Sequence, residues 1–202
     1  ASRAHRPTRG RRDRDRTRRK QGSVRRRHPV LGMEAEERPR CILEDTRQQA
    51  GKHDAKHRGF EQMGITLFRS KLAFGDYHNP PRVSVDTKKD IYELYQDLTA
   101  DHERFKRECV AARDAGTLLI VLVENKHGVT DVESLARWRE PDRHFFMRRQ
   151  KNPRAVPMSG ARLAKACSTM GARYGVAFRF CRPEESAEKI DKFLRWGETI
   201  GR

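Results

Sequence analysis

The chain has 202 residues, enough for one domain of ordinary size plus an appendage and too few for two full domains. Its net charge of +17 favours a polyanionic partner, nucleic acid ahead of an anionic membrane surface, because cations that meet phosphates release condensed counterions. Hydrophobic residues make up only 35% of the chain, so part of its length is expected to stay outside any packed core.

Cysteine spacing and hydropathy exclude several classes of protein. The four cysteines form no CxxC pair, which argues against a disulfide framework or a zinc ribbon and favours a reducing interior compartment. No run of 18 apolar residues is present, so no membrane span is predicted. The first residues also lack the apolar segment of a secretory signal.

Residues 1–38 are predicted to be a basic, disordered arm, and residues 39–202 a folded domain. Residues 1–40 hold 15 Lys and Arg against 5 Asp and Glu, a net charge of +10, which leaves +7 for the remainder. Like charges at this density repel one another, and the segment is almost free of apolar residues. Two interpretations stay open: a tether onto nucleic acid, or a solvated tail that includes sequence ahead of a start codon at Met33.

Hydrophobic periodicity predicts the elements in chain order. The first half is expected to contain strands at 41–43, 65–74 and 83–85, a short helix at 58–63, a break at 75–81, and helices at 89–98 and 102–115. The continuous apolar run Leu118–Val123 is typical of a central strand covered on both faces. The second half is expected to contain a helix at 131–139, a polar loop at 141–157, a helix from 159 or 160 to 171, a strand at 174–181 and a helix opened by Pro183. The order predicts an α/β fold with a mixed central β-sheet flanked by helices.

Three acids, Asp45, Asp76 and Asp86, fall at the ends of predicted strands, and Lys88 follows Asp86 by two residues. Side chains at i and i+2 of an extended segment point to one side, so Asp86 and Lys88 are expected to share a pocket while Thr87 faces away. Asp-x-Lys alone is also compatible with a solvated strand end beside a helix N-cap. The alternation before it, the acid ten residues upstream and the helix after it favour a site.

Such a site suits phosphodiester hydrolysis. Carboxylates bind Mg²⁺ or Mn²⁺ through oxygen, and the cation polarises a phosphate and lowers the pKa of a bound water. A neighbouring lysine can orient that water or stabilise negative charge that develops on phosphorus.

Three short strings resemble a known family: Asp45-Thr46-Arg47-Gln48, Gly75-Asp76-Tyr77 and Val85-Asp86-Thr87-Lys88. They are similar to the motifs of the XPF-type excision-repair nuclease domain, in the PD-(D/E)xK superfamily of restriction-endonuclease-like folds. The resemblance covers about residues 41–198. It implies a stand-alone domain of the phage or prophage kind, because the chain has no room for the helix-hairpin-helix module of larger relatives.

The resemblance implies roles for individual residues and a Mg²⁺ or Mn²⁺ cofactor. Asp76 and Asp86 match the metal-binding acids, Lys88 the catalytic lysine, Asp45 the first acid of the early strand, and the backbone carbonyl of Thr87 is a further ligand. The chain departs from the family pattern at four places: Asp86 replaces Glu, Thr87 replaces Arg, Gln48 replaces an acid, and Tyr92 stands where the family has Asp, with Glu93 beside it.

Several residues outside these motifs are candidates for DNA contact or for support of the site. The candidate DNA contacts are Arg47, Tyr77, Arg148, Arg149, Lys151 and Arg154, the last four near Phe145-Phe146. For the 143–154 segment an ordinary charged loop anchored by its Phe pair is an equal alternative, and for Tyr77 so is packing. His53 and His57 are interpreted as a solvated pair or a phosphate contact, and Glu124 as possible support for the metal ligands.

The sequence therefore predicts a metal-dependent DNA endonuclease, with branched or flap DNA as one substrate class. The resemblance places it in repair or recombination, in the cytoplasm of a bacterial or phage-infected cell and associated with the nucleoid; a homodimer is left open. One alternative is a catalytically weak or inactive nucleic-acid-binding module on the same fold. A ribosomal or RNA-packaging protein, suggested by charge alone, does not explain acids at three strand ends.

Overall fold

The computed structural model describes residues 40–48, 51, 53–80, 82–139 and 159–199, with only the backbone described for 196–199. The predicted arm at 1–38 lies outside these residues. So does nearly all of the predicted polar loop at 141–157, including the four candidate DNA contacts Arg148, Arg149, Lys151 and Arg154.

The described part of the chain alternates strands and helices. The strands are β1 (Arg40–Asp45), β2 (Ile65–Ser70), β3 (Tyr77–Asn79), β4 (Val83–Lys88), β5 (Leu118–Glu124) and β6 (Ala177–Cys181). The helices are α1 (Asp54–Gln62), α2 (Ile91–Leu98), α3 (His102–Asp114), α4 (Val132–Arg137), α5 (Gly160–Tyr174) and α6 (Ser186–Thr199), the last preceded by a 3-10 turn at Pro183–Glu185. Within the described ranges, none of the helices is long and apolar enough to cross a lipid bilayer.

All six strands form one mixed sheet in the order β2-β1-β3-β4-β5-β6. Strands β1 and β2 are parallel, as are β4, β5 and β6, while β3 runs antiparallel to β1 and β4. The carboxyl ends of five strands and the start of β3 therefore meet at one edge of the sheet. The predicted α/β class with a mixed central sheet is confirmed.

Helices cover both faces of this sheet, and β5 shows how its sequence requires that. Alternate β5 residues enter two separate cores: Leu119, Val121 and Val123 pack with α2, α3 and α5, whereas Ile120 and Leu122 pack with α1 and α6. A strand buried on both faces needs apolar residues at every position, and this is the prediction made from its continuous apolar run.

Several predicted elements, such as the helix that spans Asp54–Gln62 where 58–63 was predicted, are shifted by a few residues, and three differences are larger. Strand β3 was not predicted, because its three residues Tyr77–Asn79 lie inside a segment interpreted as a break. The predicted strand at 65–74 ends at Ser70, although Leu72 and Phe74 are still buried, so their spacing reflected packing and not strand pairing. Helix α5 continues one turn beyond the predicted stop at Gly171 and ends at Gly175, which has a left-handed φ of 72°.

Candidate active site

The sheet edge where the strand ends meet carries a pocket of about 880 Å³. We call it the acidic pocket. Its walls include all five residues predicted from the acidic motifs: Asp45, Asp76, Asp86, Thr87 and Lys88. Residues separated by more than 40 positions in sequence thus converge because the sheet order brings β1, β3 and β4 side by side.

Asp86 and Lys88 project from the same face of β4, as strand alternation predicts. The ammonium Nζ of Lys88 lies 2.7 Å from Oδ2 of Asp86, and both side chains are buried. Burial raises the pKa of Asp86 to about 7, against the opposing attraction of Lys88, and the charge of Asp76 adds to the rise. Burial also disfavours the Lys88 ammonium, but the carboxylates around it outweigh this effect and raise the Lys88 pKa.

Asp76, immediately before β3, is fixed by backbone hydrogen bonds on both sides. Its N–H donates to the Val85 carbonyl at 2.8 Å, and its carbonyl accepts from the Asp45 N–H at 2.8 Å. Its carboxylate Oδ2 accepts from both the N–H and the hydroxyl of Thr87, at 2.8 and 2.5 Å. Burial raises the pKa of Asp76, and the two Thr87 bonds only partly oppose that rise.

These contacts correct the prediction that Thr87 faces away from the site. Because side chains alternate along a strand, the Thr87 side chain starts on the face of β4 opposite to Asp86. Its hydroxyl nevertheless reaches the carboxylate of Asp76. The N–H and C=O of one strand residue point towards the same neighbouring strand. Because the Thr87 N–H points towards Asp76, the Thr87 carbonyl is directed to that side of β4 as well. The predicted role of that carbonyl as a ligand fits this direction.

Gly75 permits the close approach between the segment that leads into β3 and strand β4. Its φ is +69°, and a Cβ at this position would lie 2.2 Å from Oγ of Ser84, so a larger residue would be both strained and clashing. The Gly75 N–H donates to Oε1 of Glu108 on α3 at 2.8 Å. Burial raises the pKa of Glu108, and the charge of Asp86 adds to the effect.

Asp45 is already matched by a cation. The Arg47 side chain donates to its carboxylate through Nε, at 2.7 Å, and through a terminal nitrogen, and the Arg47 N–H donates to Oδ1 at 3.0 Å. Burial raises the pKa of Asp45, but the bonds and charge of Arg47 more than offset it, and the pKa lies below its usual value. Asp45 therefore differs from Asp76 and Asp86, whose carboxylates are the less well compensated.

Asp97 is a site residue that sequence reasoning missed. It lies in the last turn of α2, buried, with Oδ2 2.6 Å from Nζ of Lys88 and Oδ1 2.6 Å from the Arg104 guanidinium. Its position in the sequence could have identified it, because helical spacing puts a residue three positions after Leu94 on the helix face that packs against the sheet. An aspartate there breaks the apolar pattern and requires a buried cation as partner.

A divalent cation fits the carboxylates of Asp76 and Asp86, which are less well compensated than that of Asp45. Among the described residues no group of three or more His, Cys, Asp or Glu side chains is arranged as a metal cage. Mg²⁺, however, commonly takes one or two carboxylates and completes its shell with water and substrate oxygens, and Mn²⁺ accepts the same ligands. Asp76 and Asp86, with raised pKa values and facing one pocket, suit such a cation because it would replace the protons that burial favours.

A second polar cluster lies at the same sheet edge, on the face covered by α1 and α6. Nζ of Lys56 lies 2.6 Å from Oε1 of Glu124, which also accepts from the Ser186 hydroxyl at 2.8 Å. We call these three residues the Glu124 cluster. Glu124 and Lys56 both reach the wall of the acidic pocket, but Glu124 is engaged with its own cation.

The histidine pair on α1 and its N-terminus is not simply solvated. Nε2 of His57 lies 2.6 Å from Oε1 of the buried Glu44, which corrects the predicted solvated pair. His53 lines the acidic pocket instead.

Tyr77 packs in the core. Its side chain is fully buried against Phe60, with ring centroids 5.5 Å apart. The packing alternative is therefore correct, and the predicted DNA contact by Tyr77 is wrong because its ring has no exposed surface.

Comparison with known proteins supports the fold. No family model matches the sequence, and no curated protein is significantly similar to it. Among solved structures, XPF from Aeropyrum pernix is similar with a TM-score of 0.53 and 15% identity, over 80% of this chain and 66% of that chain. XPF from Aeropyrum pernix in complex with DNA is similar with a TM-score of 0.53 and 16% identity, over 81% of this chain and 66% of that chain. The chain spans about two thirds of those XPF chains. The expected XPF-type nuclease fold is confirmed, and at such identities the likeness concerns the fold alone.

Proposed function

We propose that this protein is a metal-dependent endonuclease that hydrolyses phosphodiester bonds of DNA in the acidic pocket. The observation that carries the proposal is the pair of incompletely compensated carboxylates, half-buried Asp76 and buried Asp86, beside Lys88 at the end of β4. The XPF-type fold supports it, since one of the similar XPF structures is a complex with DNA. The net charge of +17 supports a polyanionic substrate.

In this proposal Asp76 and Asp86 would hold Mg²⁺ or Mn²⁺, with the Thr87 carbonyl as a further ligand. Such a cation, when bound, lowers the pKa of a water and neutralises charge on the phosphate. Asp45 could join only if Arg47 released its carboxylate, so we assign Asp45 and Arg47 a supporting role at the pocket wall.

Lys88 acts as a hydrogen-bond donor and an electrostatic group. Its raised pKa favours the protonated form at neutral pH, so we assign it no role as the base that activates water. An ammonium with two carboxylate neighbours still has a third N–H, which can donate to a phosphate oxygen or to the attacking water.

Exposed cations at the pocket mouth would position the DNA backbone. Arg47, Lys89, Arg104 and Arg107 line the pocket on the solvent side. Phosphate contacts of this kind fix register without reading sequence. The basic residues Arg148, Arg149, Lys151 and Arg154 are proposed as further DNA contacts.

The finer assignments are also proposals. We propose branched or flap DNA as the preferred substrate, in repair or recombination in the cytoplasm of a bacterial or phage-infected cell, where the protein would associate with the nucleoid, as a monomer or homodimer. Cleavage of branched, single-stranded and linear duplex DNA of matched sequence tests the preference. Equal cleavage rates on the three DNA substrates would contradict the proposed preference.

The endonuclease proposal is tested by Asp76→Ala and Asp86→Ala in the purified full chain, with Mn²⁺ and with EDTA. We expect each variant, and EDTA, to lower cleavage by about a thousandfold or more, because several kcal/mol of charge stabilisation disappear. DNA binding, measured in EDTA, should persist. Normal cleavage by both variants would show that the chemistry lies elsewhere.

A binding module on the same fold is the second candidate. The departures at Gln48 and Thr87, and the saturation of Asp45 by Arg47, favour it. It predicts tight DNA binding by the wild type with no cleavage of any of the three substrates in Mg²⁺ or Mn²⁺.

A further inference from the structure

Lys88 is held by two carboxylates, and only one of them belongs to the predicted motif. Its Nζ lies 2.7 Å from Asp86 on its own strand and 2.6 Å from Asp97 on α2. The three side chains are almost wholly buried, and the ring of Phe105 lies beside the ammonium, 5.5 Å from Nζ to its centroid. The other oxygen of Asp97 meets Arg104, whose side chain is largely exposed at the pocket mouth.

The position of Asp97 is unfavourable on two physical grounds. Burial removes its carboxylate from water, which is costly unless the charge is paired. The last turn of a helix carries partial negative charge, which disfavours a carboxylate there. A residue that opposes both effects is typical of a functional position, and here its charge serves Lys88 and Arg104.

Lys88 and a bound metal would compete for the same partner. Both are cations, and both would approach the buried carboxylate of Asp86, whose Oδ2 already lies 2.7 Å from Nζ of Lys88. If Asp86 were the sole anion beside Lys88, the ammonium would either block the metal or be displaced when the metal bound. Asp97 offers Lys88 a second anion at equal distance.

We propose that Asp97 is a positioning residue that holds Lys88 in place while Asp86 coordinates the metal. The inference rests on the proposed metal site at Asp76 and Asp86. Asp97 touches neither metal nor substrate, and it acts through Lys88. Arg104 compensates the charge on the other oxygen of Asp97, so Asp97 does not itself become a second cation site.

The test is a double-mutant cycle read by Mn²⁺ binding, followed by electron paramagnetic resonance of free Mn²⁺, in the full chain without DNA. We expect Asp97→Asn to weaken Mn²⁺ binding by about tenfold, because Lys88 then relies on Asp86 alone and a charged interaction is lost. In a Lys88→Met background the same substitution should weaken binding by about threefold or less, since no ammonium remains to compete.

The matched control is Asp101→Asn. It removes the same charge from the turn that follows α2, but Asp101 is exposed and makes no side-chain capping bond. Its Mn²⁺ affinity should equal that of the wild type. If Asp97→Asn does not fold, as judged by circular dichroism, Asp97→Glu takes its place; it keeps the charge but displaces the carboxylate, and the same dependence on Lys88 is expected.

Two outcomes would overturn the inference: an equal loss of Mn²⁺ affinity with and without Lys88, or no loss at all accompanied by a lower melting temperature. The first would make Asp97 a general source of negative charge, and the second a structural counter-ion. Cleavage is not used in the cycle. A wild type that binds Mn²⁺ but cuts no DNA would therefore count against the proposed function and leave the role of Asp97 to be judged by the cycle.

Discussion

Two buried polar clusters lie at the same edge of the sheet on opposite faces, and they differ in how completely their charges are matched. In the Glu124 cluster, one carboxylate meets one ammonium and one hydroxyl. In the acidic pocket, the Asp76 carboxylate accepts hydrogen bonds from the neutral Thr87, and Asp86 shares Lys88 with Asp97. The charges of the Glu124 cluster are therefore balanced, whereas Asp76 and Asp86 in the acidic pocket are less completely compensated.

This difference in charge compensation separates the cluster suited to bind a ligand from the cluster suited to stabilise the fold. A matched buried ion pair can stabilise one packing arrangement without any ligand, and removing one partner leaves the other uncompensated. An unmatched pair of carboxylates is stable only with protons or a cation, and this is reflected in the raised pKa values of Asp76 and Asp86. Ligand binding and catalysis are therefore expected at the acidic pocket, and fold stability at the Glu124 cluster.

Neutralising one carboxylate in each cluster tests these two roles most directly. We expect Asp86→Asn to lower cleavage by about a thousandfold or more, while Glu124→Gln lowers it by about tenfold at most. Stability should respond in the opposite order. Glu124→Gln should lower the free energy of unfolding by about 3 kcal/mol, because Lys56 is left buried without a partner.

Asp86→Asn should change the free energy of unfolding by less than Glu124→Gln does, because Asp97 still holds Lys88 and a costly buried charge is removed. Urea denaturation of both variants without metal, alongside cleavage in Mn²⁺, measures the two effects. If Glu124→Gln abolished cleavage with no loss of stability, the division of roles between the clusters would be wrong.

Thermal unfolding with Mn²⁺ tests which of the two clusters binds the ion, and the expected effect is smaller. A ligand at a hundred times its dissociation constant stabilises the folded state by about 2.7 kcal/mol, so the wild type should melt several degrees higher with Mn²⁺. Glu124→Gln should show the same rise in melting temperature with Mn²⁺, although its melting temperature without Mn²⁺ is lower. Asp76→Asn should lose it, and an undiminished increment in Asp76→Asn would place the bound ion outside the acidic pocket.

The smallest expected effect concerns the exposed cations at the pocket mouth. Arg107→Gln should weaken DNA binding severalfold and reduce the salt dependence of binding, the slope of log K against log salt, by about 0.9 for a duplex contact. Arg113→Gln on the same helix is the control, because Arg113 pairs with Asp114 and lies outside the pocket. A titration of salt in EDTA measures both slopes, and identical slopes would show that the pocket mouth does not contact phosphate.

Local patterns in the sequence were sufficient for much of the fold. Strand alternation placed Asp86 and Lys88 on one face of β4, and the continuous apolar run at 118–123 identified β5 as central. These predictions succeeded because side-chain direction in a strand depends only on residue parity, and burial on both faces requires an apolar residue at each position. Strand β3 was missed because three residues are too few for a periodic signal.

Sequence patterns were enough to predict the α/β class and the motif residues that line the acidic pocket: Asp45, Asp76, Asp86 and Lys88. Tertiary structure alone decided which of those acids carries unmatched charge. Arg47 bonds back to Asp45, Thr87 turns its hydroxyl to Asp76, and Asp97 arrives from α2 to share Lys88. The physical reason is that charge compensation depends on distances between side chains on different elements, and these distances are set by the packing of helices and strands and not by spacing along the chain.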